Sequence, residues 1–172
     1  MYPHVCAWLR NALFRKYMGA EVTVENTSKK ILSRWLYEKN LHRHFKGYEC
    51  FEIEVDVTGV AIDKERVHIA FVECKLDSIT LRDLSQLLGY SKVAQPSLSI
   101  ILSPRGLSHS LNLLLNVFRR YDILEYGHDR PIIIGRWDCA RAEVDLSSII
   151  PLSEIIQFPA KSPISTLLLL LS

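Results

Sequence analysis

Two short runs constrain this chain more than anything else in it. Val67 to Val72 (VHIAFV) and Leu98 to Leu102 (LSIIL) are almost wholly apolar, whereas a strand with one wet face alternates. Such runs belong to central strands covered on both sides. Between them, Thr80 to Ala94 keeps a helical rhythm, with Thr80 and Asp83 in the form of a capping box and Leu81, Leu84, Leu87, Leu88 and Ala94 on one side. Strand, helix and strand in that order make a parallel pair with a right-handed crossover. Ser103 to Gly106 then turns the chain into a further helix with Leu107, Leu111, Leu114, Leu115 and Phe118 on its core side. The expected class is α/β, a central mixed sheet flanked by helices.

A chain of 172 residues with 48% hydrophobic and 23% charged side chains is globular and long enough to bury one full core. Its net charge of +2 excludes a binder that coats nucleic acid by charge alone, yet permits a local basic groove. Cys6, Cys50, Cys74 and Cys139 are widely separated and show no zinc spacing, so free thiols in a reducing compartment are expected. Without a signal-peptide core, and with the final apolar run Leu167 to Leu171 too short to span a bilayer, a cytoplasmic protein with no membrane partner is expected.

Val5 to Met18 has the spacing of a helix, with Val5, Trp8, Leu9, Ala12, Leu13 and Phe14 as its apolar members and Gly19 as its stop. A second helix is expected after Asn26, burying Ile31, Leu32, Trp35 and Leu36. Its polar side and exit carry Lys29, Lys30, Arg34, Lys39, His42, Arg43, His44 and Lys46, which suit a solvated face or a phosphate-contacting one equally. Phe51, Ile53, Val55 and Val57 alternate with Glu52, Glu54, Asp56 and Thr58, the pattern of a strand with one packed face. From Gly59 the wet face ends, which puts Asp56 where the strand goes under cover.

Asp63 to Arg66 is a polar turn, and the apolar run after it ends in Glu73-Cys74-Lys75. Two residues apart on a strand, Glu73 and Lys75 face one way and Cys74 the other. If the two strands pair antiparallel, Asp56 meets Glu73. Two carboxylates in a crevice repel unless a divalent cation joins them, and few hard oxygen ligands suit Mg²⁺ or Mn²⁺. An ammonium alongside would orient water and steady charge on a phosphoryl oxygen.

Val55-Asp56, Glu73-Cys74-Lys75 and, on the next helix, Gln86-x-x-x-Tyr90 stand in the order found in the PD-(D/E)XK nuclease superfamily, and the chain resembles its RecB-like branch. The proline that usually precedes the aspartate is absent. The resemblance covers about residues 25–126 of a single nuclease-like domain, with 127–172 as extra strands and tail. It implies a restriction-endonuclease-like core and a metal-dependent nuclease that hydrolyses DNA to 5′-phosphate and 3′-hydroxyl ends. By the same resemblance, Asp56, Glu73 and the backbone carbonyl of Cys74 hold Mg²⁺ or Mn²⁺. Lys75 positions water, and Gln86 and Tyr90 brace the site and the DNA. An acid on a preceding helix often joins; Glu25 stands nearest, with Glu21 and Glu38 as alternatives. Arg82 shares the Gln86–Tyr90 stripe as a DNA contact, and Arg105 serves either phosphate or a solvated loop.

The other reading is a catalytically silent nuclease fold that binds nucleic acid or acts as a scaffold. Asp122 to Tyr126 and Ile132 to Trp137 are expected as further strands. The closing leucines suggest a homodimer formed through the tail.

Overall fold

The computed structural model describes residues 1–64 and 66–157. Glu65 of the expected turn, and the tail with Pro159, Pro163 and the leucine run, lie outside the described residues, and so does the dimer contact placed there.

The chain folds as α/β, a six-stranded mixed sheet flanked by helices. The strands are β1 (Glu21–Asn26), β2 (Val57–Asp63), β3 (Arg66–Cys74), β4 (Leu98–Ser103), β7 (Ile133–Asp138) and β8 (Glu143–Ile150), in spatial order β1-β2-β3-β4-β7-β8. β1, β2 and β3 pair antiparallel, β3, β4 and β7 run parallel, and β8 returns antiparallel along β7. A separate hairpin pairs β5 (Glu125–Gly127) with β6 (Arg130–Pro131).

The two apolar runs are the middle of this sheet. All six residues of β4 are buried, as are Ile69 to Glu73 of β3. One face of the sheet carries α1 (Tyr2–Lys16), whose Val5, Leu9 and Leu13 pack with Val57, Ala70 and Val72. Gly59 makes that close seat available: a Cβ there would stand 2.7 Å from Leu13 Cδ1 and 3.1 Å from Leu9 Cδ2. The other face is covered by α2 (Leu32–Glu38), α3 (Leu81–Ala94) and α4 (His109–Asn112), whose Trp35, Leu84, Leu87 and Leu111 share a core with Phe71 and Ile101. Among the described residues no helix is long and apolar enough to cross a membrane.

Several expectations need correction. Residues 21–26 form an edge strand, and the second helix begins at Leu32 instead of after Asn26. The signal was present in the alternation of EVTVEN, and Asn26 caps a turn by accepting from Ser28 N–H at 3.0 Å. Phe51 to Val55 do alternate in burial but are not a strand, because Phe51 and Ile53 give their carbonyls to the N–H groups of Ser33 and Leu32 at the start of α2. Asp56 therefore precedes β2 and is not within it.

β1 begins before the expected 25–126 core, while β7, at the expected Ile132 to Trp137, and β8 are extra strands beyond it. In place of a strand at Asp122 to Tyr126 there is a 3₁₀ turn over Tyr121–Leu124 leading into β5. Ile31, Leu81 and Phe118, expected in the core, are exposed, and Trp8 is half-buried with its ring edge-on to Trp137 at 6.2 Å.

Candidate active site

The antiparallel ladder of β2 and β3 ends at Val57↔Val72. One step further, Asp56 comes level with Glu73. Its carboxylate closes the ladder in place of backbone: Oδ2 accepts from Cys74 N–H at 2.8 Å, and Oδ1 accepts from the Tyr2 hydroxyl at 3.0 Å. Tyr2 opens α1, so the N-terminal helix leans on the site. Burial and the neighbouring Asp56 push the Tyr2 hydroxyl up to about 12, which keeps it a donor.

Glu73 shares its face of β3 with Phe71 and is 6% exposed. Its Oε1 meets Lys75 Nζ at 3.0 Å, and its Oε2 is buried with no hydrogen-bond partner. Burial and the negative Asp56 raise the Glu73 carboxyl above the usual range, against the opposing pull of Lys75 and of the Asp56 backbone N–H. An unpaired carboxylate oxygen in the interior costs about 1–3 kcal/mol or more.

Lys75 lies just past the end of β3, where its own N–H extends the pairing with Leu102 O at 2.8 Å. Its ammonium also reaches Asp83 Oδ1 at 3.2 Å. Burial disfavours its charge, but Glu73 and Asp83 more than offset this and raise its pKa. Lys75 is thus a fixed cation at neutral pH. Cys74, between the two, has its thiol raised by burial and by Asp56 and Glu73, so it remains a thiol at neutral pH.

Asp83 is the member that sequence reasoning missed as a site residue. Its capping role was legible: Thr80 N–H donates to Asp83 Oδ2 at 2.9 Å while Asp83 N–H donates back to Thr80 Oγ1 at 3.4 Å. The signal for its second role was distance along the chain. A helix that starts six residues after Lys75 must lay its first turn near the strand end. Burial raises the Asp83 carboxyl, but Thr80 and Lys75 lower it further, and the net shift is downward.

Further along α3, Gln86 Nε2 donates to the Tyr90 hydroxyl at 3.0 Å. On a helix, Asp83, Gln86 and Tyr90 fall on one stripe, with Lys75 at its N-terminal end. Arg82 is exposed beside that stripe. Glu25 is engaged elsewhere, on the edge strand. It accepts from Trp35 Nε1 at 3.0 Å and pairs with Lys39 and, at 3.8 Å, Lys30. These partners outweigh burial and lower its pKa. Arg105 pairs with Asp77 at 2.9 Å on the loop after β4.

The donor set near Asp56 and Glu73 is two carboxylates. Among the described residues no three His, Cys, Asp or Glu side chains gather as a metal site. Two hard oxygen donors, one of them orphaned, fit a Mg²⁺ or Mn²⁺ that keeps most of its coordination for water and phosphate, not a fully caged ion. Comparison with family models, with curated proteins and with solved structures returned no match.

Proposed function

We propose that the protein is a metal-dependent nuclease hydrolysing DNA phosphodiester bonds. The observation that carries this reading is the buried, unpartnered Oε2 of Glu73 beside a permanently charged Lys75. A divalent cation shared with Asp56 would give that oxygen a partner.

Asp56 and Glu73, with the carbonyl of Cys74, would hold Mg²⁺ or Mn²⁺, which when bound supplies a more acidic water and charge neutralisation at phosphate. The chain's own groups do the rest. Tyr2 and Cys74 N–H fix the Asp56 carboxylate in one orientation. Asp83 and Glu73 hold the Lys75 ammonium between β3 and α3. Raised in pKa, that ammonium serves as a donor, not a base: it hydrogen-bonds the attacking water's oxygen or a phosphoryl oxygen as negative charge grows there. Water oxygen bonds to phosphorus as the bond to the 3′-oxygen breaks, and the proton the water gives up to solvent is matched by one taken from solvent at the 3′-oxygen, leaving a 5′-phosphate and a 3′-hydroxyl. Gln86 and Tyr90, already bonded to each other, line the approach along α3.

The second reading, a nuclease-like fold that only binds, draws on the lack of a third acidic ligand among the described residues. Two measurements separate the readings. Lys75→Ala and Asp56→Ala are each expected to lower cleavage of labelled DNA in Mg²⁺ or Mn²⁺ at least 100-fold, with thermal unfolding still cooperative. Wild-type cutting by both variants refutes the assignment. Calorimetry with Mn²⁺ should show binding that Asp56→Ala loses; heat identical in both proteins, or none in either, favours the silent scaffold.

A further inference from the structure

A second feature lies on the same edge and face of the sheet as Lys75. A pocket of about 520 Å³ opens beside the loop that follows β4 and the middle of β7. Three arginines line it, Arg105, Arg119 and Arg136, and among the described residues no acid does. The acids that pair with them, Asp77 on Arg105 and Asp145 on Arg136, stand outside the lining. Arg119 Nη1 donates to the Tyr121 hydroxyl at 2.9 Å. Planar guanidinium groups converging on one hollow are the usual means of holding phosphate.

The wall is built locally. Past Asn112 the helix of α4 widens into a π-helical turn over Leu113–Val117, closed by Phe118 N–H on Leu113 O at 2.9 Å. Such turns are uncommon and cluster at functional sites. This one puts Asn112 and Asn116, bonded at 2.7 Å, and then Arg119 along the pocket. Arg119 itself has the left-handed φ of 55°. The remaining wall mixes Ser147 and Ser148 with apolar and aromatic side chains, among them Leu107, Tyr121 and Ile150.

Only a ridge separates this pocket from the acid–lysine cluster. The loops after β3 and β4 are stitched together: Ile79 N–H donates to Gly106 O and Ser108 N–H to Ile79 O, both at 2.8 Å. Ser103 Oγ donates to Asp77 O at 2.7 Å. β3 and β7 are two strands apart in the sheet, about 10 Å. Nucleic acid advances at least ~3.4 Å per nucleotide, so a nucleotide within three of the one at Lys75 reaches the pocket.

We propose that this pocket is a nucleotide subsite, with Arg119 and Arg136 on the phosphate and Tyr121 and Leu107 against the base. It rests on the nuclease reading and deepens it by naming the substrate class. A base enters a hollow of this kind only when unpaired, so the substrate is single-stranded DNA or a single-stranded flank of a duplex.

The test uses full-length protein in EDTA, where binding is read without cleavage. Affinities are measured by fluorescence anisotropy for a labelled single-stranded oligonucleotide and for a blunt duplex of the same sequence. Wild type should favour the single strand at least tenfold. Arg119→Asn, which tolerates the left-handed backbone, and Arg136→Gln should each weaken single-strand binding about tenfold. Each should also reduce its salt slope by about one, as for one lost phosphate contact. Equal affinity of wild type for both forms, or unchanged single-strand binding by both variants, overturns the subsite. If wild type nevertheless cuts DNA in Mg²⁺, the nuclease reading survives that failure. If it binds single strands through these arginines and never cuts, the subsite stands and the nuclease reading falls.

Discussion

Replacing Glu73 by glutamine removes one charge and no volume, and its effect on stability should change with pH in a defined direction. The carboxyl is held above its ordinary range by burial and by Asp56. The folded protein therefore binds this proton more tightly than the unfolded chain does. Stability from the group is full below the unfolded carboxyl value and is lost as pH rises through the folded one. The amide keeps an oxygen for Lys75 and puts N–H groups where Oε2 now lacks a partner, next to a negative Asp56 that favours them.

Lys75 loses a counter-charge but retains Asp83 at 3.2 Å, and its side chain is 25% exposed, so water moderates the loss. Neutral replacement of a buried ion ranges from no effect to several kcal/mol of stabilisation, and with a partner still engaged about 1 kcal/mol is expected here. For a chain of this size that is roughly 2–4 °C in Tm. Thermal unfolding followed by circular dichroism, in EDTA at pH 4.5 and pH 8, should give equal Tm values at the lower pH and a more stable variant at the higher. A variant that falls further below wild type as pH rises would show that Lys75 makes the charged carboxylate net favourable, and the reasoning would fail. Adding Mn²⁺ should reverse the order at pH 8. A ligand at 100 times its Kd stabilises by about 2.7 kcal/mol, and only wild type has both carboxylates to bind it.

Asp83→Asn tests the missed residue. It weakens the capping box and the hold on Lys75, so a loss of about 1 kcal/mol in denaturant unfolding should accompany at least a tenfold slower cleavage. Full activity with normal stability would remove Asp83 from the site. Its lowered carboxyl also fixes a sign: stability from Asp83 is present above the unfolded carboxyl value and lost as pH falls through the folded one, so the variant's deficit should shrink in acid. Gly59→Ala tests the seat of α1. Its Cβ would overlap Leu13 and crowd Leu9, and overpacking of that kind costs about 1–3 kcal/mol; an unchanged urea midpoint would show that α1 shifts freely over the sheet.

Some of this was written locally in the chain and some was not. Strand alternation placed Glu73 and Lys75 on one side without any structure, because side-chain direction in a strand depends only on position. The Thr80–Asp83 capping box and the central apolar runs were legible for the same reason, since caps and covered strands need only near neighbours. Partner choice could not be read. Whether Glu25 faces a metal or is held by Trp35 and Lys39 depends on how β1 and α2 pack, and Phe51 to Val55 fail as a strand because α2 takes their carbonyls. Only the assembled sheet brings Asp56 to Cys74 N–H, Asp83 to Lys75 and three distant arginines around one hollow. Periodicity fixes the direction a side chain points, while what it meets is set by chain segments tens of residues away.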